Sequence, residues 1–181
     1  MDEVGRGPLI GSVVCAAVIL PKEFECKEIN DSKKISEKKR DELYSIILEN
    51  AISIGIGMVN EKEIDKINIY EATKIAMKKA IDNLSVKPQH ILIDAMKLDI
   101  DIPSTSIIKG DAKSQSIAAA SIVAKVTRDK MMYELDMIHP EYDLKNNKGY
   151  GTKKHIDALK KYGVLNEHRK TFKPVSEFIN I

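Results

Sequence analysis

Hydrophobic and polar positions change period several times along the 181-residue chain, and each change marks an element. Leu9 to Leu20 is apolar and rich in β-branched residues, which predicts a strand. Ala51 to Val59 alternates Ile52, Ile54, Ile56 and Met58 with Ser53, Gly55 and Gly57, the period of two that a second strand requires. Between them Ser36 can cap a helix whose Leu43, Ile46 and Ile47 share one face, while Lys38, Lys39 and Arg40 point elsewhere. Asn60 with Glu63, and Asn68 with Glu71, have the spacing of an N-cap and its partner three residues later, so two successive helices are expected, running to Leu84. Pro88 closes that stretch. His90 to Ile93 forms a short apolar strand ending at Asp94, Thr105 to Lys109 another ending near Gly110-Asp111, and an Ala-rich helix follows to Ile138. Strands grouped early and then alternating with helices imply an α/β architecture, a mixed sheet with helices packed on it. With no linker, repeat or low-complexity segment in 1–181, one domain is expected.

Composition narrows the function classes. Hydrophobic residues at 43% and charged residues at 31% exclude a disordered chain. No apolar run approaches the roughly 20 residues that cross a bilayer, so no membrane association is expected. Asp2 and Glu3 follow Met1 directly, without the basic-then-apolar pattern of a secretory signal, which makes the cytoplasm the expected compartment. The two cysteines, Cys15 and Cys26, offer neither a disulfide framework nor zinc-ligand spacing. The net charge of +2 conceals an asymmetry: Glu141 to Ile181 holds nine Lys/Arg against five acids, and the rest of the chain 20 against 22. A polyanion lying against the C-terminal part would suit that distribution, and so would an ordinary solvated helix face.

Asp94 and Asp111 each end an apolar strand, where open α/β sheets place their sites, although a carboxylate there can equally cap the next turn. Asp2-Glu3 supplies two more acids directly before Gly5-Arg6-Gly7. Four converging carboxylates would repel one another unless cations intervened, and oxygen-rich sites of that kind select Mg²⁺ or Mn²⁺.

Several segments go further. Asp2-Glu3-Val4-Gly5-Arg6-Gly7-Pro8-Leu9, Asp31-Ser32-Lys33-Lys34-Ile35-Ser36, Ile93-Asp94, Lys109-Gly110-Asp111-Ala112-Lys113, the run Ser116 to Lys125, Gly149-Tyr150-Gly151-Thr152 and His168-Arg169-Lys170-Thr171-Phe172 follow one another in order. In order and spacing this series resembles the ribonuclease HII family over almost the whole chain. The resemblance implies a ribonuclease H-like fold, a mixed five-stranded sheet flanked by helices with a C-terminal helical segment, in a monomer. It further implies an endonuclease that cuts the RNA strand of RNA/DNA hybrids and single ribonucleotides within duplex DNA, leaving a 5′-phosphate and a 3′-hydroxyl. Asp2, Glu3, Asp94 and Asp111 would form the catalytic quartet and hold two divalent ions, Mg²⁺ or Mn²⁺, with Asp2 shared between them.

Gly5, Arg6 and Gly7, with Tyr150, would read the RNA-to-DNA junction; Ser32, Lys33 and Lys34 would contact phosphates, as would the basic segment 141–181. Tyr150 lies between two glycines, and by position alone it either stacks on substrate or covers the core. Adjacent residues on a regular strand face opposite ways, so Asp2 and Glu3 can both serve the ions only if the strand ends, twists or bulges there, or if Glu3 acts through its backbone. His90, His139, His155 and His168 show no short paired spacing, which argues against a histidine metal cluster or a histidine-based ribonuclease mechanism. Family members carry several residues before the Asp-Glu pair, so the resemblance also implies a shortened N-terminus, with the expectation of lower stability and metal affinity than an extended chain.

Overall fold

The computed structural model describes residues 1–29 and 35–179. The chain opens with strand β1 (Asp2–Val4), which pairs antiparallel with β2 (Val13–Ile19), and β2 pairs antiparallel with β3 (Ser53–Val59). Helix α1 (Glu37–Asn50) connects β2 to β3, and helices α2 (Glu61–Ile67) and α3 (Ile69–Asp82) follow. Strands β4 (Ile91–Asp94) and β5 (Ser104–Ile107) pair in parallel, and the long helix α4 (Gln115–Ile138) comes after them. Met1 joins the two sheets: its amino group donates to Leu92 O at 2.6 Å, and its carbonyl accepts from Asp94 N at 3.1 Å. That is the bonding pattern of a parallel pair, so the strands run β3-β2-β1-β4-β5, the mixed five-stranded sheet expected from the sequence.

The caps form where the spacing places them. Ser36 Oγ accepts from Lys39 N, Asn60 Oδ1 from Glu63 N, and Asn68 Oδ1 from Glu71 N. Strand β2 shows why helices cover both faces. Val13, Cys15 and Ala17 enter one core beneath α3, with Ala72, Ala76 and Met77. Ala16 and Val18 enter the opposite core, with Leu43 and Ile47 of α1 and Ala119, Ile122 and Val123 of α4.

The strands differ in detail from the expected pattern. The one expected over Thr105 to Lys109 runs instead over Ser104–Ile107 and is largely exposed, so Asp111 follows it in a turn and does not end it. The predicted strand from Leu9 starts only at Val13, because Gly11 takes φ +78° and turns the chain; Ile10 bridges instead to His168. In β3 the more deeply buried face is the one carrying Ser53, Gly55 and Gly57, not the isoleucine face. A Cβ at Gly57 would collide with Ala76 O, so the small residues let the α3 backbone lie directly on the sheet.

The C-terminal part adds the short helix α5 (Leu144–Asn147) and helix α6 (Lys153–Tyr162), packed with α4 around Leu9, Ile10, Met132, Tyr142 and Leu159. No helix among the described residues is long and apolar enough to cross a membrane.

Candidate active site

The parallel pairing at Met1 sets Asp2 beside Asp94 on adjacent central strands, at the end where β4 stops. A cavity of about 190 Å³ opens there, lined by Asp2, Glu3, Asp94 and Tyr150, with Arg40 from α1 and Ser121 and Lys125 from α4. A larger cavity of about 550 Å³ lies beside the start of β4 and is lined mainly by apolar side chains, among them Val18, Leu84 and Ile91. A third, of about 500 Å³ between α1 and α4, carries Glu37, Asp41 and Asp129 among Arg40 and Lys130, whereas the cavity of about 190 Å³ is the one that gathers carboxylates at the strand ends.

Its electrostatics are strained. Burial, followed by the negative charge of Asp94, pushes Asp2 up to about 6, against hydrogen bonds from Ser121 and from Glu3 N at 2.8 Å. Burial and the neighbouring Asp2 push Glu3 up to about 7, and Arg6, 3.6 Å away, only partly offsets them. Glu3 Oε2 is buried and has no hydrogen-bond partner among the described residues. An acceptor left unsatisfied in a low dielectric costs about 1–3 kcal/mol, more when charged, and a cation bound there would remove that cost. Asp94 Oδ1 accepts from Gly110 N at 2.7 Å.

Asp111 sits one residue beyond that contact, buried in the short turn Gly110–Ala112, beside the cavity and not in its lining. Among the described residues no three carboxylates stand at ion-holding separations. Asp2 and Asp94 are instead turned to local donors, Glu3 N and Gly110 N.

The glycine loop is held from inside the protein. Arg169, fully buried, donates to Gly11 O at 2.9 Å, Arg6 O at 3.0 Å and Gly5 O at 2.6 Å. Arg128, also buried, donates to Ser12 O at 3.2 Å, Lys148 O at 2.8 Å and Ile10 O at 3.1 Å. Burial pulls Arg128 down to about 10 and Arg169 to about 9, so both remain cations at neutral pH. Gly5 takes φ +92°, and a Cβ there would strike the Arg128 side chain; a Cβ at Gly7 would stand 3.3 Å from the Tyr150 ring. Tyr150 is 48% exposed and rests against this loop at the cavity mouth. Ser32 and Lys33, with Lys34, lie outside the described residues.

Sequence reasoning placed Arg169 among surface cations, yet it is an internal clamp. It turned Arg40 away from the core, whereas Arg40 lies half-buried with Nη1 4.0 Å from Asp129 Oδ2. Arg128 was not singled out at all. A signal existed: Ser121, Lys125 and Arg128, at i, i+4 and i+7, form a polar stripe along α4, the first two lining the cavity and Arg128 reaching the carbonyls of Ile10, Ser12 and Lys148.

The histidines are likewise closer than their spacing suggested. His155 and His168 meet through their Nε2 atoms at 3.0 Å, both fully buried. Burial and then His155 pull His168 down to about 3, and burial pulls His155 below its ordinary value. Burial keeps His168 neutral in the fold far below the 6.5 at which the unfolded chain protonates, and shifts His155 in the same direction. The contribution of His168 is therefore complete above pH 6.5 and lost as pH falls towards 3, by up to about 1.4 kcal/mol per pH unit. The urea midpoint should fall more steeply between pH 6.5 and 5 for the parent than for His168→Gln. Equal slopes would contradict the assignment.

Carboxylates at the ends of adjacent central strands, in a mixed sheet of order 3-2-1-4-5 covered by helices on both faces, define the ribonuclease H-like class of α/β proteins. The family model described as Ribonuclease HII matches residues 1–175. The chain belongs to the ribonuclease HII family, endoribonucleases that act on the RNA strand of RNA/DNA hybrids. It is 61% identical over 179 residues to Ribonuclease HII of Bacillus cytotoxicus, covering 99% of this chain and 69% of that one. The ribonuclease H2 structure from Pyrococcus horikoshii OT3 superposes with a TM-score of 0.79 at 29% identity, covering 98% of this chain and 94% of that one. Bst-RNase HIII in complex with Mn²⁺ shares the fold, with a TM-score of 0.71 at 18% identity, covering 97% of this chain and 67% of its own.

Proposed function

We propose that this chain cuts the RNA strand of RNA/DNA hybrids and single ribonucleotides embedded in duplex DNA. In this reading Asp2, Glu3, Asp94 and Asp111 hold two divalent ions, and the products carry a 5′-phosphate and a 3′-hydroxyl. The observation that carries the reading is the buried, unpartnered Glu3 Oε2 beside two further carboxylates. A site raised in energy by unneutralised charge is a site that gains by binding cations, and hard oxygen donors favour Mg²⁺ or Mn²⁺. The Mn²⁺ in Bst-RNase HIII, which shares the fold, agrees with that preference. When bound, such ions lower the pKa of the attacking water and stabilise the departing oxygen.

The remaining work falls to the chain's own residues. Lys125, held at 2.5 Å by Asp129, lines the cavity together with Arg40, and Arg6 stands 3.6 Å from Glu3, so positive charge is at hand for a phosphate approaching the carboxylates. The Gly5-Arg6-Gly7 backbone, fixed by Arg169, allows close approach of a sugar and its 2′-hydroxyl. Tyr150 offers a ring face beside that loop, on which a sugar or base can stack. Ser32 and Lys33, and the exposed lysines of α6, bind flanking phosphates.

Cleavage of a labelled RNA/DNA hybrid in Mg²⁺, in Mn²⁺ and in excess chelator tests the ion requirement, and cutting that persists in chelator would refute it. Tyr150→Ala should slow cutting at an isolated ribonucleotide by about 5- to 150-fold, the loss of a stacking contact worth about 1–3 kcal/mol. An unchanged rate on that substrate would leave Tyr150 a covering residue only.

A further inference from the structure

Tyr150 stands between Gly149 and Gly151 and is half exposed, so its direction has to be set by what holds its backbone. Tyr150 N donates to Asn147 O at 2.9 Å, and its carbonyl accepts from Thr152 N at 2.8 Å. The same carbonyl faces His155 Nδ1 at 2.9 Å.

The hydrogen bonds fix every proton in this arrangement. Leu165 N can only donate, and at 2.9 Å it makes His168 Nδ1 an acceptor. His168 therefore carries its proton on Nε2 and gives it to His155 Nε2, 3.0 Å away. His155 must then carry its own proton on Nδ1, aimed at the Tyr150 carbonyl. Two fully buried histidines thus form a one-way relay from Leu165 to Tyr150, with Tyr142 packed edge-on to His155 at 6.1 Å and tilted against His168 at 5.5 Å.

Stability alone does not account for this choice. Thr152 N already satisfies the Tyr150 carbonyl, and two apolar side chains would fill the space without the cost of burying imidazoles. A second donor from a different direction adds orientation. His168 also adjoins Arg169, which holds the Gly5 and Arg6 carbonyls, so one short segment supports both the loop and the tyrosine that faces it.

We infer that His155, oriented by His168, is a positioning residue that fixes Tyr150 over the Gly5-Arg6-Gly7 loop and so sets the preference for a ribonucleotide joined to a deoxyribonucleotide. The inference rests on the proposed reading of Tyr150 as the group that senses the junction. The measurement is the ratio of kcat/KM on a duplex with one embedded ribonucleotide to kcat/KM on a continuous RNA/DNA hybrid.

His155→Asn keeps a nitrogen donor at the Nδ1 position, and its ratio should stay within about twofold of the parent; His155→Gln loses that donor, and its ratio should fall about three- to tenfold, the loss of one oriented hydrogen bond. Thermal melting of each variant reports folding. If His155→Gln shows no folded state, His168→Leu takes its place: it leaves His155 present, removes the donor that fixes its tautomer, and should lower the ratio in the same direction. Equal losses on both substrates, or Asn and Gln variants that behave alike, would overturn the inference. Tyr150→Ala separates the two levels. If it leaves the ratio unchanged, the reading of Tyr150 fails and the relay with it; if it lowers the ratio while His155→Gln does not, the relay alone fails.

Discussion

Asp2→Asn and Asp94→Asn should each lower the cleavage rate on an RNA/DNA hybrid by at least about a hundredfold, equivalent to about 2.7 kcal/mol in the barrier. Both substitutions keep the shape of the side chain and remove a negative charge from the place where the proposed ions are held. Asp2 is 6% exposed and is pushed up to about 6 by burial and by Asp94, so in the ion-free protein its charge destabilises the fold. The melting temperature of ion-free Asp2→Asn should therefore equal or exceed that of the parent at pH 8, while the stabilisation that added Mg²⁺ or Mn²⁺ gives the parent should shrink. This combination separates a lost ligand from a damaged fold. Near-parental turnover by either variant would remove that residue from the proposed quartet.

Arg169→Met should destabilise the protein by about 3–5 kcal/mol. The guanidinium is fully buried and donates to the carbonyls of Gly5, Arg6 and Gly11. Methionine fills similar volume but leaves those acceptors unpaired at about 1–3 kcal/mol each, offset in part because no cation is then desolvated. Arg169→Lys should also fail to restore stability, since one ammonium cannot reproduce the planar fork that spans three carbonyls. Urea unfolding at pH 7.5 gives the comparison. A loss below about 1 kcal/mol for Arg169→Met would mean that the loop holds its shape without the clamp.

How far the sequence discloses the molecule depends on how local the determining interaction is. Asn60 and Asn68 cap helices through bonds to residues three positions on, so their spacing alone reveals them. Asp94 is marked by the apolar strand that it ends. Arg169 and Arg128 are different: their partners lie more than a hundred residues away in sequence for Gly5, Arg6, Gly11, Ile10 and Ser12, and a lone cation in a basic segment looks like a surface group until the fold closes around it. The His155–His168 pair is hidden for the same reason, being joined across the packing of α6 against the segment that follows it. The burial of the glycine face of β3 was obscured by side-chain size, because hydrophobic patterning weighs isoleucine above glycine, whereas close backbone packing favours the smaller residue. Within the site, Asp2, Glu3, Asp94 and Tyr150 do share one cavity, while Asp111 stands just outside its lining.

Single-turnover cleavage of duplex DNA carrying one ribonucleotide, with the position and end groups of the nick mapped in Mg²⁺, in Mn²⁺ and in chelator, decides whether the strand-end carboxylates hold working ions. One nick at the ribonucleotide, with a 3′-hydroxyl and a 5′-phosphate, is expected in either ion and none in chelator. Cutting without divalent ions, or products ending in a 2′,3′-cyclic phosphate, would contradict that expectation.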